Sequence, residues 1–204
     1  MKETLKTMIL ALVLALAYGV GVEAQTARQV LDKTAAVVGR KGGASANFSI
    51  SSAKYGSTTG SLAIKGNKFF ARTPQAMVWF NGKTQWSYMR STNEVNISTP
   101  TQAQQMSMNP YTFINLYKTG YTSKLTTQGN NFVVHLVADN QKRTVQELYI
   151  TIARATYVPT QVKMRQGKVW STIKVSNFKA QNQSDRTFTF HAKDFPQAEV
   201  VDLR

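Results

Sequence analysis

Two hydrophobic periods divide the chain from residue 26 onward. In residues 26–38, TARQVLDKTAAVV, apolar positions recur every three or four residues, as they do in an amphipathic helix. Thr26 is a suitable N-cap and Gly39 a suitable end for this helix. Its predicted buried face consists of Ala27, Val30, Leu31, Thr34 and Val38.

After residue 45 the hydrophobic period becomes two. Phe48 and Ile50 alternate with polar neighbours, and so do Leu62 and Ile64, which indicates strands with one buried face. Further candidate strands lie in residues 76–88, 132–137, 145–152, 162–164, 169–175 and 187–190. Turn-forming residues separate most of them. We therefore predict a large antiparallel sheet or barrel of about ten strands, in a single domain.

One helical pattern interrupts the strands. In residues 109–120, NPYTFINLYKTG, Asn109 can cap the helix, Pro110 can take its first position and Gly120 follows its end. The hydrophobic residues Phe113, Ile114, Leu116 and Tyr117 make its apolar face nearly continuous. The preceding residues 98–108 are polar apart from Met106 and Met108, which predicts a loop or a loose helical turn.

The segment 76–88, AMVWFNGKTQWSY, predicts a hairpin rich in aromatic residues. A two-residue Asn81-Gly82 loop favours a type I′ turn, which would pair Trp79 with Thr84. The side chains predicted to share one face are Met77, Trp79, Thr84, Trp86 and Tyr88. This face could be core packed on the two helices, but two short helices cover little of such a sheet. Apolar surface left uncovered would indicate a binding site.

The first residues predict export. Lys2 and Lys6 precede an apolar run from Met8 to about Ala17, and a small-residue end, Val22-Glu23-Ala24, follows. This is the order of a secretory signal peptide, and the run is too short for a membrane anchor. We expect cleavage after Ala24, with residues 1–24 as the signal peptide and 25–204 as the domain.

The absence of cysteine bears on the cellular compartment of the protein. The chain has no cysteine, so it forms no disulfide and offers no thiol chemistry. Gln25 occupies the position at which a lipid-anchored lipoprotein would need a cysteine. These features favour a soluble protein of the periplasm.

Charge indicates the kind of partner. The chain carries 25 Lys and Arg against 10 Asp and Glu, a net charge of +15. In an exported protein such an excess points to anionic lipid headgroups or acidic protein surfaces, unless it serves solubility alone. Nucleic acid is disfavoured because the predicted aromatic face carries few Lys or Arg.

Residues for catalysis or metal binding are sparse. His135 and His191 are the only histidines, and neither belongs to a metal-binding spacing. No nucleophile elbow, phosphate-binding loop or suggestive carboxylate pair is present. We expect a binding protein without catalytic residues, metal or cofactor.

Five features in order carry a family resemblance. They are the helix after the signal peptide, the stretch GSLAIK (60–65) leading to Phe69 and Phe70, the hairpin NGKTQWSY (81–88), Asn109-Pro110, and the end of the chain from Phe188-x-Phe190 to 200–204, VVDLR. Together they resemble the LolA-type outer-membrane lipoprotein carriers. The resemblance covers nearly the whole chain after the signal peptide, and the hairpin is its most distinctive part.

The resemblance implies a mainly β fold: an open, strongly curved antiparallel half-barrel with a helical lid over a hydrophobic cavity. It implies a periplasmic carrier that takes the acyl chains of lipoproteins from an inner-membrane ATP-driven releasing complex to an outer-membrane acceptor. A carrier of another lipid or hydrophobic small molecule is the alternative. We expect a monomer without nucleic acid.

Residues on the sheet and the lid form the expected acyl-chain site. They are Leu62, Ile64, Phe70, Met77, Trp79, Trp86, Tyr88, Met106, Phe113, Ile114 and Tyr117. Members of the family often have an arginine after the Lys65 position that holds the lid closed, whereas this chain has Gly66. Lys65 and Arg72 are the candidate substitutes, although a lysine lacks the planar fork of arginine.

Overall fold

Twelve strands form one open, curved sheet in the computed structural model, which describes residues 25–54, 56–101, 104 and 116–204. The strands are β1 Ala44–Ser52, β2 Gly56–Lys65, β3 Lys68–Arg72, β4 Ala76–Phe80, β5 Gln85–Met89, β6 Glu94–Ser98, β7 Tyr121–Gln128, β8 Asn131–Ala138, β9 Glu147–Ala153, β10 Pro159–Gln166, β11 Val169–Lys179 and β12 Glu199–Asp202. Their order in the sheet is β12-β6-β5-β4-β3-β2-β1-β11-β10-β9-β8-β7. The prediction of a mainly β protein with one large sheet is confirmed.

Antiparallel pairing dominates the sheet, with an exception at one edge. The C-terminal strand β12 pairs in parallel with β6, so that Val200 lies beside Val95. The two halves of the sheet meet where β1 pairs with β11. This pairing joins the N-terminal strands to a strand more than a hundred residues away in sequence, so the centre of the sheet depends on long-range contacts.

The helix α1, Ala27–Val38, follows the sequence prediction closely. Thr26 Oγ1 accepts a hydrogen bond from the backbone N–H of Gln29, and the Gln29 side chain accepts one from the backbone N–H of Thr26. This reciprocal capping satisfies two N–H groups that would otherwise lack partners. The backbone N–H of Gly39 donates to the carbonyl of Ala35 at the other end. The buried residues are the five predicted ones: Ala27, Val30, Leu31, Thr34 and Val38.

Helix α1 packs on one face of the sheet, which we call the inner face. Val30 and Leu31 are almost fully buried and join a core cluster with the alternate residues of β8 and β9. The sheet contributes Phe132, Val134, Leu136, Leu148, Ile150 and Ile152 to that cluster. Because successive strand residues point to opposite faces, this set fixes which face of every paired strand is the inner one.

The hairpin of β4 and β5 differs from the predicted two-residue turn. Trp79 pairs with Trp86 and Phe80 with Gln85, which leaves a four-residue loop, 81–84. The Asn81 side chain accepts hydrogen bonds from the backbone N–H groups of Lys83 and Thr84, and Gly82 alone in the loop has a positive φ. Such an Asx turn removes the need for two left-handed residues. Thr84 therefore lies in the loop and not opposite Trp79.

Two other predicted elements need correction or lie outside the described residues. Residues 187–190 are not a strand, because Asp185–Phe188 forms a 3-10 turn capped by the Ser184 hydroxyl. A second 3-10 turn, Ala192–Asp194, follows. Of the predicted helix 109–120, residues 109–115 lie outside the described residues and Leu116–Lys118 is a 3-10 turn. The predicted signal peptide, 1–24, also lies outside them.

Candidate functional site: an apolar cavity on the inner face

A cavity of about 350 Å³ lies on the inner face, between helix α1 and the central strands. Its wall is mainly hydrophobic. The lining residues are Leu31, Thr34, Val38, Ala44, Ser45, Ala46, Asn47, Phe48, Ile50, Leu62, Ile64, Ala71, Ile150, Pro159, Val162, Met164, Gln166, Ser171, Ile173, Val175 and Phe178. No Lys, Arg, Asp or Glu is among these described lining residues, so the arrangement suits an uncharged apolar ligand group.

Strand alternation explains most of this wall. In the centre of the sheet Ile50 pairs with Ile173, and Ile173 pairs with Val162, so three branched apolar side chains from three strands lie side by side. Ala46 pairs with Leu62 on the neighbouring strands. The inner face is thus continuous from β10 to β2, and helix α1 supplies the opposite side of the cavity.

Gly60 shapes one part of the wall. It pairs with Phe48, and a Cβ atom at Gly60 would lie 2.5 Å from Cζ of Phe48 and 2.2 Å from the carbonyl oxygen of Arg72. Only glycine leaves room for the Phe48 ring to lie against the β2 backbone. The ring thereby becomes part of the cavity wall.

Exposure changes along the length of the cavity. At the end beneath helix α1, which we call the helix end, Val38 is 7% exposed, Ala44 1% and Ile64 5%. At the opposite ends of the same strands, Ile50 and Ser171 are half-buried and therefore accessible. We call this the turn end. The wall beneath helix α1 is therefore covered, and the wall at the turn end is accessible to solvent.

The structure divides the predicted site residues between the two faces of the sheet. Leu62 and Ile64 line the cavity. Tyr117 is buried in the core cluster beside helix α1, and its hydroxyl donates to Asp32. Met106, Phe113 and Ile114 lie outside the described residues. The remaining predicted residues are on the outer face and do not line the cavity: Phe70, Met77, Trp79, Trp86 and Tyr88.

The C-terminal segment, which we define as residues 183–198, covers these outer-face aromatic residues. Phe195 lies 5.6 Å from Trp79 and 4.8 Å from Tyr88 between ring centroids, and Phe190 lies 5.5 Å from Trp79. Trp79 is 7% exposed and Tyr88 9%. We call Phe70, Trp79, Tyr88, Phe190 and Phe195 the outer aromatic cluster. It is a second hydrophobic core, held by edge and tilted ring contacts.

Sequence reasoning missed the side of the cavity formed by helix α1 and strands β10 and β11. Thr34 was predicted only as a helix residue, although it lines the cavity. The alternation in 169–175, VWSTIKV, does place Ile173 and Val175 on one face, so a signal was present. The sequence pattern does not show that β11 pairs with β1, and this pairing is seen only in the folded chain.

Ion pairs hold the C-terminal segment to the sheet at the helix end. Lys65 Nζ lies 3.1 Å and Lys68 Nζ 3.0 Å from Asp185 Oδ1, and Lys65 also donates to the carbonyl of Gln183. Hydrogen bonds from Lys68 and Lys65 hold the pKa of Asp185 below its usual range. Lys65, a candidate for the lid-closing residue, is thus engaged with the C-terminal segment.

A polar network crosses the outer face of β8, β9 and β10. Glu147 accepts from Arg165 Nε at 3.0 Å and lies 2.9 Å from His135 Nε2, while Tyr149 donates to it at 3.2 Å. Partial burial opposes ionisation of Glu147, but the hydrogen bonds from His135, Arg165 and Tyr149 outweigh it and lower its pKa. The His135 ring also stacks on Tyr149 at 4.2 Å. His135 is thus a strand residue with a hydrogen-bonded ring.

No group of three His, Asp or Glu that could hold a metal ion occurs among the described residues. Within that part of the chain, no helix combines the length and the hydrophobicity needed to cross a bilayer.

Solved structures resemble this fold at low sequence identity. An uncharacterized conserved protein from Thermus thermophilus superposes with a TM-score of 0.60 at 16% identity, covering 87% of this chain and 99% of that one. A LolA superfamily protein from Nitrosomonas europaea gives 0.45 at 12% identity, covering 82% and 99%. A putative outer membrane lipoprotein-sorting protein domain from Vibrio parahaemolyticus gives 0.43 at 10% identity, covering 82% and 94%. No curated protein sequence matches significantly.

The chain also matches the sequence model of a protein family. The model described as "Outer membrane lipoprotein carrier protein LolA" matches residues 19–168, which is well over half of the 204 residues. The match includes helix α1 and most of the strands that form the cavity wall. This chain belongs to the LolA family of outer-membrane lipoprotein carrier proteins.

Proposed function

We propose that this protein is a periplasmic carrier that encloses the acyl chains of lipoproteins in its inner-face cavity and ferries them from the inner to the outer membrane. The observation that carries the proposal is the half-exposed apolar wall of the cavity, in a chain that belongs to a family of lipoprotein carriers. Soluble proteins seldom leave such a surface open unless something binds to it.

The energetics suit an acyl chain. Burying a methylene group is worth about 0.8 kcal/mol, so an acyl chain of ~16 carbons carries about 12 kcal/mol of hydrophobic free energy in water. A cavity of about 350 Å³ is near the lower end of the range of ~300–1,000 Å³ for small-molecule sites. It can hide a large part of one such chain, and more cargo requires the cavity to widen. A side open to solvent at the turn end gives the chain a route in and out.

The proposed wall consists of Leu62 and Ile64 together with Phe48, Ile173 and Val175. Of the predicted lid residues, Phe113 and Ile114 are proposed to close over the chain, and Met106 is proposed to contact it. Tyr117 is packed in the core cluster beside helix α1. Met164 lies in the cavity wall and can adapt to chains of different shape, since methionine repacks at low cost.

The route and partners belong to the same proposal. The protein is exported with cleavage after Ala24, receives cargo from an inner-membrane ATP-driven complex and delivers it to an outer-membrane acceptor, working as a monomer. The family match supports this route. The alternative cargo is another lipid or a hydrophobic small molecule, for which the same apolar wall is suited.

Neighbouring residues on β11 provide a test of the cavity. Ile173 lines it, whereas Thr172 is absent from the lining and points to the outer face. Ile173→Glu places a carboxylate in the apolar wall and should abolish binding of a fluorescent long-chain fatty acid. The matched control Thr172→Glu makes the same charge change one residue away and should bind normally. Equal binding by wild type and Ile173→Glu would rule out this cavity as the site.

A second experiment identifies the cargo. Native mass spectrometry of the protein isolated from the periplasm of its own organism should detect bound triacylated lipoprotein. A free lipid or pigment in its place would favour the alternative cargo. A ligand-free protein that also binds no fatty acid would contradict the carrier function.

A further inference from the structure

The basic residues at the two ends of the cavity differ in whether their side chains have partners within the chain. At the helix end, Lys65 and Lys68 both pair with Asp185. Arg40 donates to the carbonyl of Gly43 at 3.0 Å. These three cations are therefore held in place by partners within the chain.

At the turn end the basic residues lie in two turns that connect the strands. The loop between β8 and β9, residues 139–146, carries Lys142 and Arg143, and the turn between β10 and β11 carries Lys168. We call these two segments the basic turns. Lys142 and Lys168 are exposed, and within the described residues neither lies within salt-bridge distance of a carboxylate. The single acidic residue of the basic turns, Asp139, accepts a hydrogen bond from Thr122.

The basic turns are fixed to each other and to the cavity wall. The Gln146 side chain donates to the carbonyl of Arg143 at 2.6 Å and accepts from the backbone N–H of Gly167 at 2.7 Å. The turn residue Lys168 is two positions from Gln166, which lines the cavity. The positive charges of both turns are therefore held beside the open end of an apolar cavity.

We propose that the cavity selects amphiphiles with an anionic headgroup, placing the acyl chain beneath helix α1 and the phosphate or carboxylate at the basic turns. This inference rests on the acyl-chain cavity of the proposed function and adds the headgroup class for its alternative cargo, a free lipid, because the acyl anchor of a lipoprotein has no phosphate or carboxylate headgroup. The apolar wall supplies most of the binding free energy, because it removes the chain from water. Lys142 and Lys168 supply discrimination, since an exposed lysine attracts a net anionic headgroup more strongly than a choline headgroup, whose ammonium group offsets the charge of its phosphate.

The test compares two lipids with the same chain. Palmitoyl lysophosphatidylglycerol should bind the purified protein about five- to tenfold more tightly than palmitoyl lysophosphatidylcholine at low ionic strength, and the ratio should shrink as salt screens the charges. In the double variant Lys142→Gln/Lys168→Gln the affinity for the anionic lipid should fall to that for the choline lipid. Affinity for the choline lipid should not change.

A matched double variant controls for net charge. Lys41→Gln/Lys83→Gln removes the same two charges from exposed positions at the helix end of the strands and should keep the preference for the anionic lipid. Inorganic phosphate alone should bind far more weakly than either lipid, because it lacks the chain.

The outcomes separate this inference from the proposed function. Equal affinity for the two lipids, an equal effect of both double variants, or phosphate binding as tight as lipid binding would overturn the headgroup selection while leaving chain binding intact. Failure of both lipids to bind would instead contradict the acyl-chain function itself.

Discussion

Helix α1 contributes Leu31, Thr34 and Val38 to the cavity wall, and Thr34 is the polar residue of the three. It is 2% exposed, and its hydroxyl has no hydrogen-bond partner among the described residues. A buried hydroxyl without a partner costs about 1–3 kcal/mol, because its bonds to water are lost without replacement. The Thr34 hydroxyl therefore lowers the free energy of unfolding of the ligand-free protein.

Replacing that hydroxyl by a methyl group should stabilise the protein. We expect Thr34→Val to raise the free energy of unfolding by about 1 kcal/mol, since valine keeps the β-branched shape and needs no partner. Urea unfolding followed by circular dichroism measures the change. Thr172→Val, on the outer face, is the control and should stay within about 0.5 kcal/mol of wild type. A less stable Thr34→Val protein would show that the hydroxyl has a partner in solution.

Glu147 makes stability depend on pH. Its pKa in the folded protein is below the ordinary 4.5, so its ionised form is stabilised by folding. That contribution is complete above about pH 4.5 and is lost as the pH falls through the lower folded value. The three partners His135, Arg165 and Tyr149 then lose an ionised acceptor.

Glu147→Gln should therefore destabilise the protein by about 1–2 kcal/mol at pH 7 and by less at about pH 3. Urea midpoints at the two pH values measure the difference. Glu199→Gln, an exposed change on β12, should show no such dependence. A penalty for Glu147→Gln that is the same at both pH values would mean that ionisation of Glu147 contributes nothing.

At the scale of elements, the C-terminal segment acts as a cover for the outer aromatic cluster. Phe195 contacts both Trp79 and Tyr88, so its loss opens a path for water to the cluster. We expect Phe195→Ala to cost about 2 kcal/mol, below the ~3–5 kcal/mol of a fully buried phenylalanine because Phe195 is half-buried. Tryptophan fluorescence should shift to longer wavelength as Trp79 becomes hydrated.

Fatty-acid binding by Phe195→Ala should be unchanged, because the cluster lies on the face opposite the cavity. Leu203→Ala is the control for this variant, since Leu203 is 63% exposed and should tolerate truncation. Loss of fatty-acid binding in a folded Phe195→Ala protein would place the outer aromatic cluster in the binding site after all.

The elements differ in how far the sequence predicts them. Helix α1 and its buried face were predicted correctly, because periodicity and caps are local signals. The four-residue loop 81–84 was missed because the Asn81 side chain satisfies the backbone and no pair of left-handed residues is needed. Placement of Trp79 was beyond local reasoning. Its cover, Phe195, comes from more than a hundred residues later in the chain, and the alternation of a strand does not say which face meets a helix.

At the scale of the whole molecule, the sheet separates two tasks. On the outer face the C-terminal segment covers most of the outer aromatic cluster and contributes stability, and a cavity of about 380 Å³ remains beside Phe70, Trp79 and Phe195. The inner face keeps part of its apolar surface open between helix α1 and the central strands. A carrier needs both properties. A fully packed inner face would leave no room for cargo, and an unpacked outer face would leave the curved sheet without enough buried area to stay folded when the cavity is empty.

This separation predicts how ligand and mutations combine in thermal unfolding. A ligand that binds only the folded state adds about 2.7 kcal/mol at a hundredfold excess over its dissociation constant, which is about 5–10 °C for a protein of this size. Palmitoyl lysophosphatidylglycerol should raise the melting temperature of wild type by that amount. Phe195→Ala should melt lower yet gain a similar increment, because its cavity is intact.

Ile173→Glu should lose the ligand-dependent increase in melting temperature, because the carboxylate disrupts the cavity wall. Thr172→Glu should keep that increase. Because the increment depends on affinity and not on the starting stability, it distinguishes a damaged site from a weakened fold. A ligand-dependent increment that survives Ile173→Glu and disappears in Phe195→Ala would reverse the assignment of the two faces. The same increment in wild type and all three variants would place the ligand elsewhere on the molecule.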